Sequence, residues 1–125
     1  MPHLMIDYSP NLEAHVDIAA LCDHIRRAAI DTGVFPMAGI RVRAFAASHV
    51  SIADGDAKHG YIDISVRLRK GRTTAAKQAA TQSIFAAASD FLAPVMAERS
   101  IALSLEMRDI DPGLAPKSGT IRDHL

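Results

Sequence analysis

The feature that most constrains the fold is a strand–helix–strand pattern that occurs twice in succession. Apolar and polar residues alternate in four segments, which is typical of strands with one buried face; these are residues 3–8, 40–46, 61–69 and 101–107. Between the first and second segments, and again between the third and fourth, apolar residues recur at helical spacing. The sequence therefore predicts two βαβ units in tandem, in which the pattern is repeated but the sequence is not.

Local signals predict where the two helices begin and end. Ser9-Pro10 suits an N-cap followed by proline in the first turn, so a first helix is expected over residues 11–32. Gly33 then supplies a stop in the left-handed conformation. Because proline cannot donate a backbone hydrogen bond, Pro94 predicts a kink or an early end in the second helix.

These elements define an architecture. The crossover of a βαβ unit is right-handed, so both helices are expected on the same face of one four-stranded sheet. The predicted fold class is therefore α+β. We expect one domain over residues 1–125, with pseudo-repeats at about 1–52 and 60–108 and an irregular tail over 109–125.

The opposite face of the predicted sheet is polar. It carries Arg41, Arg43, Asp63, Arg67, Arg69 and Glu106. Apart from Arg41, its arginines are interpreted as structural partners of the two carboxylates across the face. A polar face and two exposed edge strands favour a symmetric oligomer, with the face turned towards a water-filled centre. The alternative is a ferredoxin-like monomer with one sheet face in water.

Composition excludes several classes of function. The chain has 14 basic and 14 acidic residues and is 49% hydrophobic, so we expect neither disorder nor a nucleic-acid partner. No apolar run is long enough to cross a bilayer, so no membrane association is expected, and a single cysteine, Cys22, suits a reducing cytoplasm. The six histidines are scattered, with no pair at helical ligand spacing, so we expect no metal site.

The start of the chain, Met1-Pro2-His3, carries the candidate catalytic group. Because the side chain at position 2 is small, we expect methionine aminopeptidase to remove Met1 and leave Pro2 with a free secondary amine. Burial and nearby positive charge would both lower the pKa of that amine, since both disfavour the ammonium form. A base with a pKa near neutrality is what general acid–base catalysis requires. An ordinary structural proline is the alternative that the start alone leaves open.

Several segments together resemble the 5-carboxymethyl-2-hydroxymuconate Δ-isomerase family of the tautomerase superfamily. They are Met1-Pro2-His3, the segment TGVFPMAGIRVR over residues 32–43, Ala53-Asp54-Gly55, Lys70-Gly71-Arg72 and residues 102–106. A Met-Pro start is common, but its combination with TGxFPxAGIRxR at this distance is much more specific. The matching segments span nearly the whole chain.

The resemblance implies a homotrimeric enzyme that uses no metal or organic cofactor. It implies ketonisation of a dienol tricarboxylate in the breakdown of homoprotocatechuate, with Pro2 as the proton shuttle. Carried over by position, two arginines that would bind this small carboxylate substrate fall on Arg41 and Arg72. The stretch after Arg43 lacks a tryptophan found in some relatives, and the tail beyond Pro112 diverges. The walls of the pocket, and so the substrate, are what the resemblance specifies least.

Two alternatives remain at this point. One is a tautomerase that acts on another small oxo- or hydroxy-acid, which the altered wall after Arg43 would permit. The other is a noncatalytic trimeric module that binds a carboxylate. Without the resemblance, Arg41 would be interpreted as a solvated strand residue and Arg72 as a polar turn residue.

Overall fold

The computed structural model describes all residues from 1 to 125 and contains one mixed sheet of four strands. The strands are β1 (His3–Tyr8), β2 (Arg41–Ala46), β3 (Gly60–Arg69) and β4 (Ile101–Ile110). Their order is β2-β1-β3-β4; β1 runs parallel to β2, β3 runs parallel to β4, and the central pair β1 and β3 is antiparallel. The predicted α+β tandem βαβ fold is confirmed.

Two helices cover one face of this sheet and bury its apolar side chains. Helix α1 spans Ile18–Asp31 and helix α2 spans Thr74–Met96. The core contains alternate residues of the central strands and the inward stripe of each helix, notably Leu4, Ile6, Ile62, Ile64, Val66, Leu21, Ile25, Ile84 and Leu92. Burial of each such side chain contributes about 1.5–3 kcal/mol to the hydrophobic stabilisation. The alternation in the strands is therefore what holds the two units together.

The prediction of one helix over residues 11–32 was wrong at its amino-terminal end. A 3-10 helix covers Pro10–Ala14, non-helical residues follow, and α1 begins only at Ile18. Asp17 caps α1, since its Oδ1 accepts a hydrogen bond from the Ala20 backbone N–H at 3.0 Å. The 3-10 helix is held in place independently of α1, because its Leu12 side chain is buried in the core. The expected stop at Gly33 is present, with φ of +68°.

Helix α2 runs past Pro94 and ends two residues further on, at Met96. Of the kink or early end predicted at Pro94, the early end is therefore wrong, since the proline lies inside the helix. Thr73 caps the start of this helix, accepting a hydrogen bond from the Ala76 N–H at 3.1 Å. After β4 the tail forms two short 3-10 helices, Pro112–Leu114 and Ile121–His124. Neither α1 nor α2 combines the length and the hydropathy that a membrane-spanning helix needs.

Candidate active site

The parallel pairing of β1 with β2 brings the amino terminus beside the AGIR segment. Pro2 is fully buried just before β1, and its carbonyl oxygen accepts a hydrogen bond from the Arg41 backbone N–H at 3.3 Å. Gly39 lies against it, because a Cβ on that residue would be 3.0 Å from Cδ of the Pro2 ring. The sequence-predicted proton carrier and one predicted arginine are thus neighbours.

Arg41 directs its guanidinium towards the amino terminus. Its Nη1 donates to the Gly39 carbonyl oxygen at 3.0 Å and contacts Met1 Sδ at 3.2 Å. Both Arg41 and Met1 line a cavity of about 380 Å³. A carboxylate would be a far stronger partner for this guanidinium than a thioether, since charge-assisted hydrogen bonds are about twice as strong as neutral ones.

Arg72 lies one residue before the N-cap of α2, as the sequence predicted for the turn after the third strand. Its Nη1 donates to the Arg69 carbonyl oxygen at 2.9 Å, and its side chain does not line the cavity that contains Arg41. Its charge nevertheless acts on the amine of Met1. Arg72 therefore belongs to the electrostatic surroundings of the amino terminus, while Arg41 is in contact with it.

The surroundings of the amino terminus favour a neutral amine. Burial lowers the pKa of the Met1 amine, and the charges of Lys117, Arg72, Arg69 and Arg41, in that order, lower it further. No acidic side chain lines the cavity that holds Met1 and Arg41, nor a second, smaller cavity of about 120 Å³ beside it. The same field that disfavours an ammonium ion favours the binding of carboxylates.

Sequence reasoning missed the contribution of the tail. Lys117 lines both cavities, together with Met1, and Arg122 lines the larger one. The irregular tail was predicted to begin at residue 109, but β4 continues to Ile110, so the tail begins at Asp111. The local pattern did not predict where the tail lies, since it has no helical or strand periodicity. The only sequence signal for this contribution was that Lys117 and Arg122 are basic residues in a tail to which no structural role had been assigned.

The predicted ion pairs across the polar face of the sheet were wrong. Asp63 accepts a hydrogen bond from Ser104 Oγ at 2.6 Å, and Glu106 pairs with Arg108 at 2.8 Å. Strand register explains this, because β4 lies directly beside β3 and brings Ser104 opposite Asp63. Arg43 instead contacts His3, with 3.3 Å between Nη1 and Nδ1.

No group of three or more His, Cys, Asp or Glu side chains is arranged to hold a metal ion. The groups gathered at this end of the sheet are an amine and several cations. Such a set can bind an anionic substrate and transfer a proton to or from it.

Comparisons with known proteins agree with this chemistry. The family model for 5-carboxymethyl-2-hydroxymuconate isomerase matches residues 2–125. The 5-carboxymethyl-2-hydroxymuconate Delta-isomerase of Escherichia coli is 28% identical over 121 residues, which are 97% of this chain and 96% of that protein. A crystal structure of a 5-carboxymethyl-2-hydroxymuconate delta-isomerase is 30% identical, with a TM-score of 0.91 over 99% of this chain and 92% of its own. The corresponding isomerase from Deinococcus radiodurans R1 is 26% identical, with a TM-score of 0.90 over 98% of this chain and 92% of its own. With its tautomerase-like fold, the chain therefore belongs to the 5-carboxymethyl-2-hydroxymuconate isomerase family, and it is an isomerase.

Proposed function

We propose that this isomerase ketonises 5-carboxymethyl-2-hydroxymuconate by proton transfer through the amine of Pro2, in the cytoplasmic breakdown of homoprotocatechuate and without a cofactor. The observation that carries the proposal is the cluster of cations around the buried start of β1. None of Arg41, Arg72 and Lys117 forms an ion pair within the chain, whose ion pairs all lie among other residues. Their charges are available to a polycarboxylate.

Removal of Met1 is a requirement of this mechanism. With Met1 in place the nitrogen of Pro2 is part of an amide and carries no basic lone pair. The Met1 thioether also occupies the contact position of the Arg41 guanidinium, at 3.2 Å. Cleavage after Met1 would therefore create the base and free the guanidinium in one step.

The reaction then needs one proton taken from oxygen and one delivered to carbon. The neutral Pro2 amine accepts the proton of the dienol hydroxyl, and the C–C double bonds shift as the oxygen becomes a ketone. The Pro2 ammonium returns the same proton to the distal carbon, forming the C–H bond. A single base suffices if the substrate is held with both atoms within reach.

The arginines have separate roles in this proposal. Arg41, which contacts the residue bonded to Pro2, holds a carboxylate in two hydrogen bonds and stabilises the charge that develops during transfer. Arg72 acts over a longer distance: its charge lowers the pKa of the Met1 amine, and we expect it to act in the same direction on the Pro2 amine once Met1 is removed. Burial acts on Pro2 in the same direction.

We also propose that the chain assembles as a homotrimer. Strands β2 and β4 are unpaired edges of the sheet, and Phe45 on β2 is 56% exposed. Light scattering after size exclusion should give three times the chain mass of 13.4 kDa. A monomer at assay concentrations would contradict the assembly.

The activity is tested with protein whose first residue has been established by mass spectrometry. Ultraviolet absorbance follows the loss of the dienol, with processed wild type compared with Pro2→Ala. The variant keeps a free amine but changes its basicity and geometry, and we expect turnover to fall by about 10²–10⁴-fold. Circular dichroism controls for the fold. Equal turnover by Pro2→Ala, or by protein that retains Met1, contradicts the mechanism.

A further inference from the structure

The tail after β4 folds back over the amino terminus and closes one side of the candidate active site. Its last 3-10 helix, Ile121–His124, packs against the 3-10 helix Met37–Gly39 that precedes β2. The approach is close, since a Cβ on Gly119 would lie 3.9 Å from Nη2 of Arg41. The start of the tail is anchored to the sheet, because the Lys70 N–H donates to the Ile110 carbonyl oxygen at 3.1 Å.

This tail brings two cations to the site. Lys117 and Arg122 line the cavity of about 380 Å³ that also contains Met1 and Arg41. Lys117 alone of the two also lines the smaller cavity, opposite Arg67 and Arg69. Neither tail residue forms an ion pair within the chain, and no acidic residue lines either cavity.

Lys117 is the cation best placed to act at the start of β1. Among the charged side chains, Lys117 lowers the pKa of the Met1 amine most, ahead of Arg72, Arg69 and Arg41. Because Lys117 lines both cavities, it is near enough to interact with an anion bound in either one. A lysine at this exposed position suits the task, since its ammonium is a point charge that needs no fixed fork geometry.

The chemistry of the substrate supplies the anion. A hydroxymuconate has two carboxylates, and the carboxymethyl substituent adds a third. In the proposed function Arg41 holds one carboxylate of the conjugated chain and Arg72 acts only over a longer distance, which leaves the carboxymethyl carboxylate without a direct partner. Resting on that proposed function, we propose that Lys117, with Arg122 beside it, binds the carboxymethyl carboxylate and so determines the preference for a tricarboxylate.

The test compares two substrates and three variants. The substrates are 5-carboxymethyl-2-hydroxymuconate and 2-hydroxymuconate, which lacks the carboxymethyl group. Lys117→Ala removes the cation and Lys117→Arg keeps the charge. Lys58→Ala makes the same charge change at the opposite end of the sheet, where Lys58 lies 3.7 Å from Asp56, and serves as the matched control.

We expect Lys117→Ala to raise KM for the tricarboxylate about tenfold or more, the loss typical of a hydrogen bond to a charged group. Its KM for the dicarboxylate should rise by a clearly smaller factor, because that substrate lacks the carboxymethyl carboxylate, and any change in kcat should be the same for both substrates. Lys117→Arg should restore most of the lost affinity, and Lys58→Ala should behave as wild type. An unchanged KM for the tricarboxylate, or an equal rise for both substrates, overturns the assignment of Lys117 while the proposed function stands. A wild-type protein that converts neither substrate overturns the proposed function and this inference together.

Discussion

Gly39 packs directly against Pro2, so closely that a methyl group on residue 39 would lie 3.0 Å from Cδ of the proline ring and 3.6 Å from Cγ of Pro36. The distance to Pro36 is an ordinary contact, but the distance to Pro2 is tighter than most Cβ contacts, so a side chain at position 39 would push the Pro2 ring by a few tenths of an ångström. The absence of a side chain at Gly39 is therefore part of what positions the nitrogen of Pro2.

Gly39→Ala should accordingly impair catalysis more than it impairs folding. A displacement of the Pro2 ring by about 1 Å can lower the rate by roughly 100-fold, and for the smaller shift expected here kcat should fall by about threefold to tenfold. Stopped-flow absorbance measures kcat, and thermal unfolding serves as the control for stability. A variant with wild-type kcat would show that the proline ring tolerates the shift or does not take part.

The two predicted arginines should differ in their effects. Arg41 contacts Met1 and lines the cavity, whereas Arg72 acts on the amino terminus through its charge alone. We expect Arg41→Ala to lower kcat/KM by about 10²–10³-fold, the loss typical of removing one preorganised donor to a developing charge. Arg72→Ala should lower it by a smaller factor.

Steady-state kinetics on the tricarboxylate dienol checks both variants. Arg26→Ala is a suitable control, because Arg26 lies on the exposed face of α1 and pairs with Asp23 at 2.6 Å. Normal processing by both Arg41→Ala and Arg72→Ala would refute the assignment of the anion site. A larger loss for Arg72→Ala would reverse the roles given to the two residues.

His3 makes the stability of the fold depend on pH. Burial lowers the pKa of His3 from its usual 6.5, and the charges of Arg67, Arg43, Arg41 and the amino terminus lower it further. Between the lowered pKa and 6.5 the unfolded chain binds more protons than the folded chain, so the free energy of unfolding rises with pH across this window. The stability from neutral His3 is complete above pH 6.5 and is lost as the pH falls through the folded-state pKa.

Urea unfolding on both sides of pH 6.5 measures this effect. His3→Gln should weaken the rise in stability with pH, while His49→Gln, at an exposed position after β2, should keep it. A wild-type pH dependence in His3→Gln would mean that other groups cause it.

The sheet could be predicted from sequence because its signals are local. The alternation in β3 specifies both its length and its buried face, since side chains on a strand repeat every two residues. Gly33 likewise predicts the end of α1 from its own backbone preference. The start of α1 was predicted at Ser9-Pro10, whereas Asp17 is the N-cap in the structure, because the burial of Leu12 holds the preceding residues in a separate 3-10 helix.

The assignment of Pro2 came from the start of the chain, and that of Arg41 and Arg72 came from the family resemblance. The pairing of β1 with β2 explains why Pro2 and Arg41 are neighbours, and Arg72 lies in the turn before α2. Lys117 and Arg122 reach the site through the packing of an irregular tail, which no periodicity in the sequence specifies. Long-range packing of this kind is visible only in the folded chain.

The central claim is that a free Pro2 amine, neutral near physiological pH, carries the proton. A nitrogen-15 NMR titration of this amine in processed protein tests it most directly, with an unstructured peptide that begins Pro-His-Leu-Met as the reference. We predict a pKa for the Pro2 amine well below that of the peptide, and a kcat/KM that rises with pH through the same midpoint. A Pro2 pKa equal to that of the peptide, or a kcat/KM that does not follow the titration, would contradict the account.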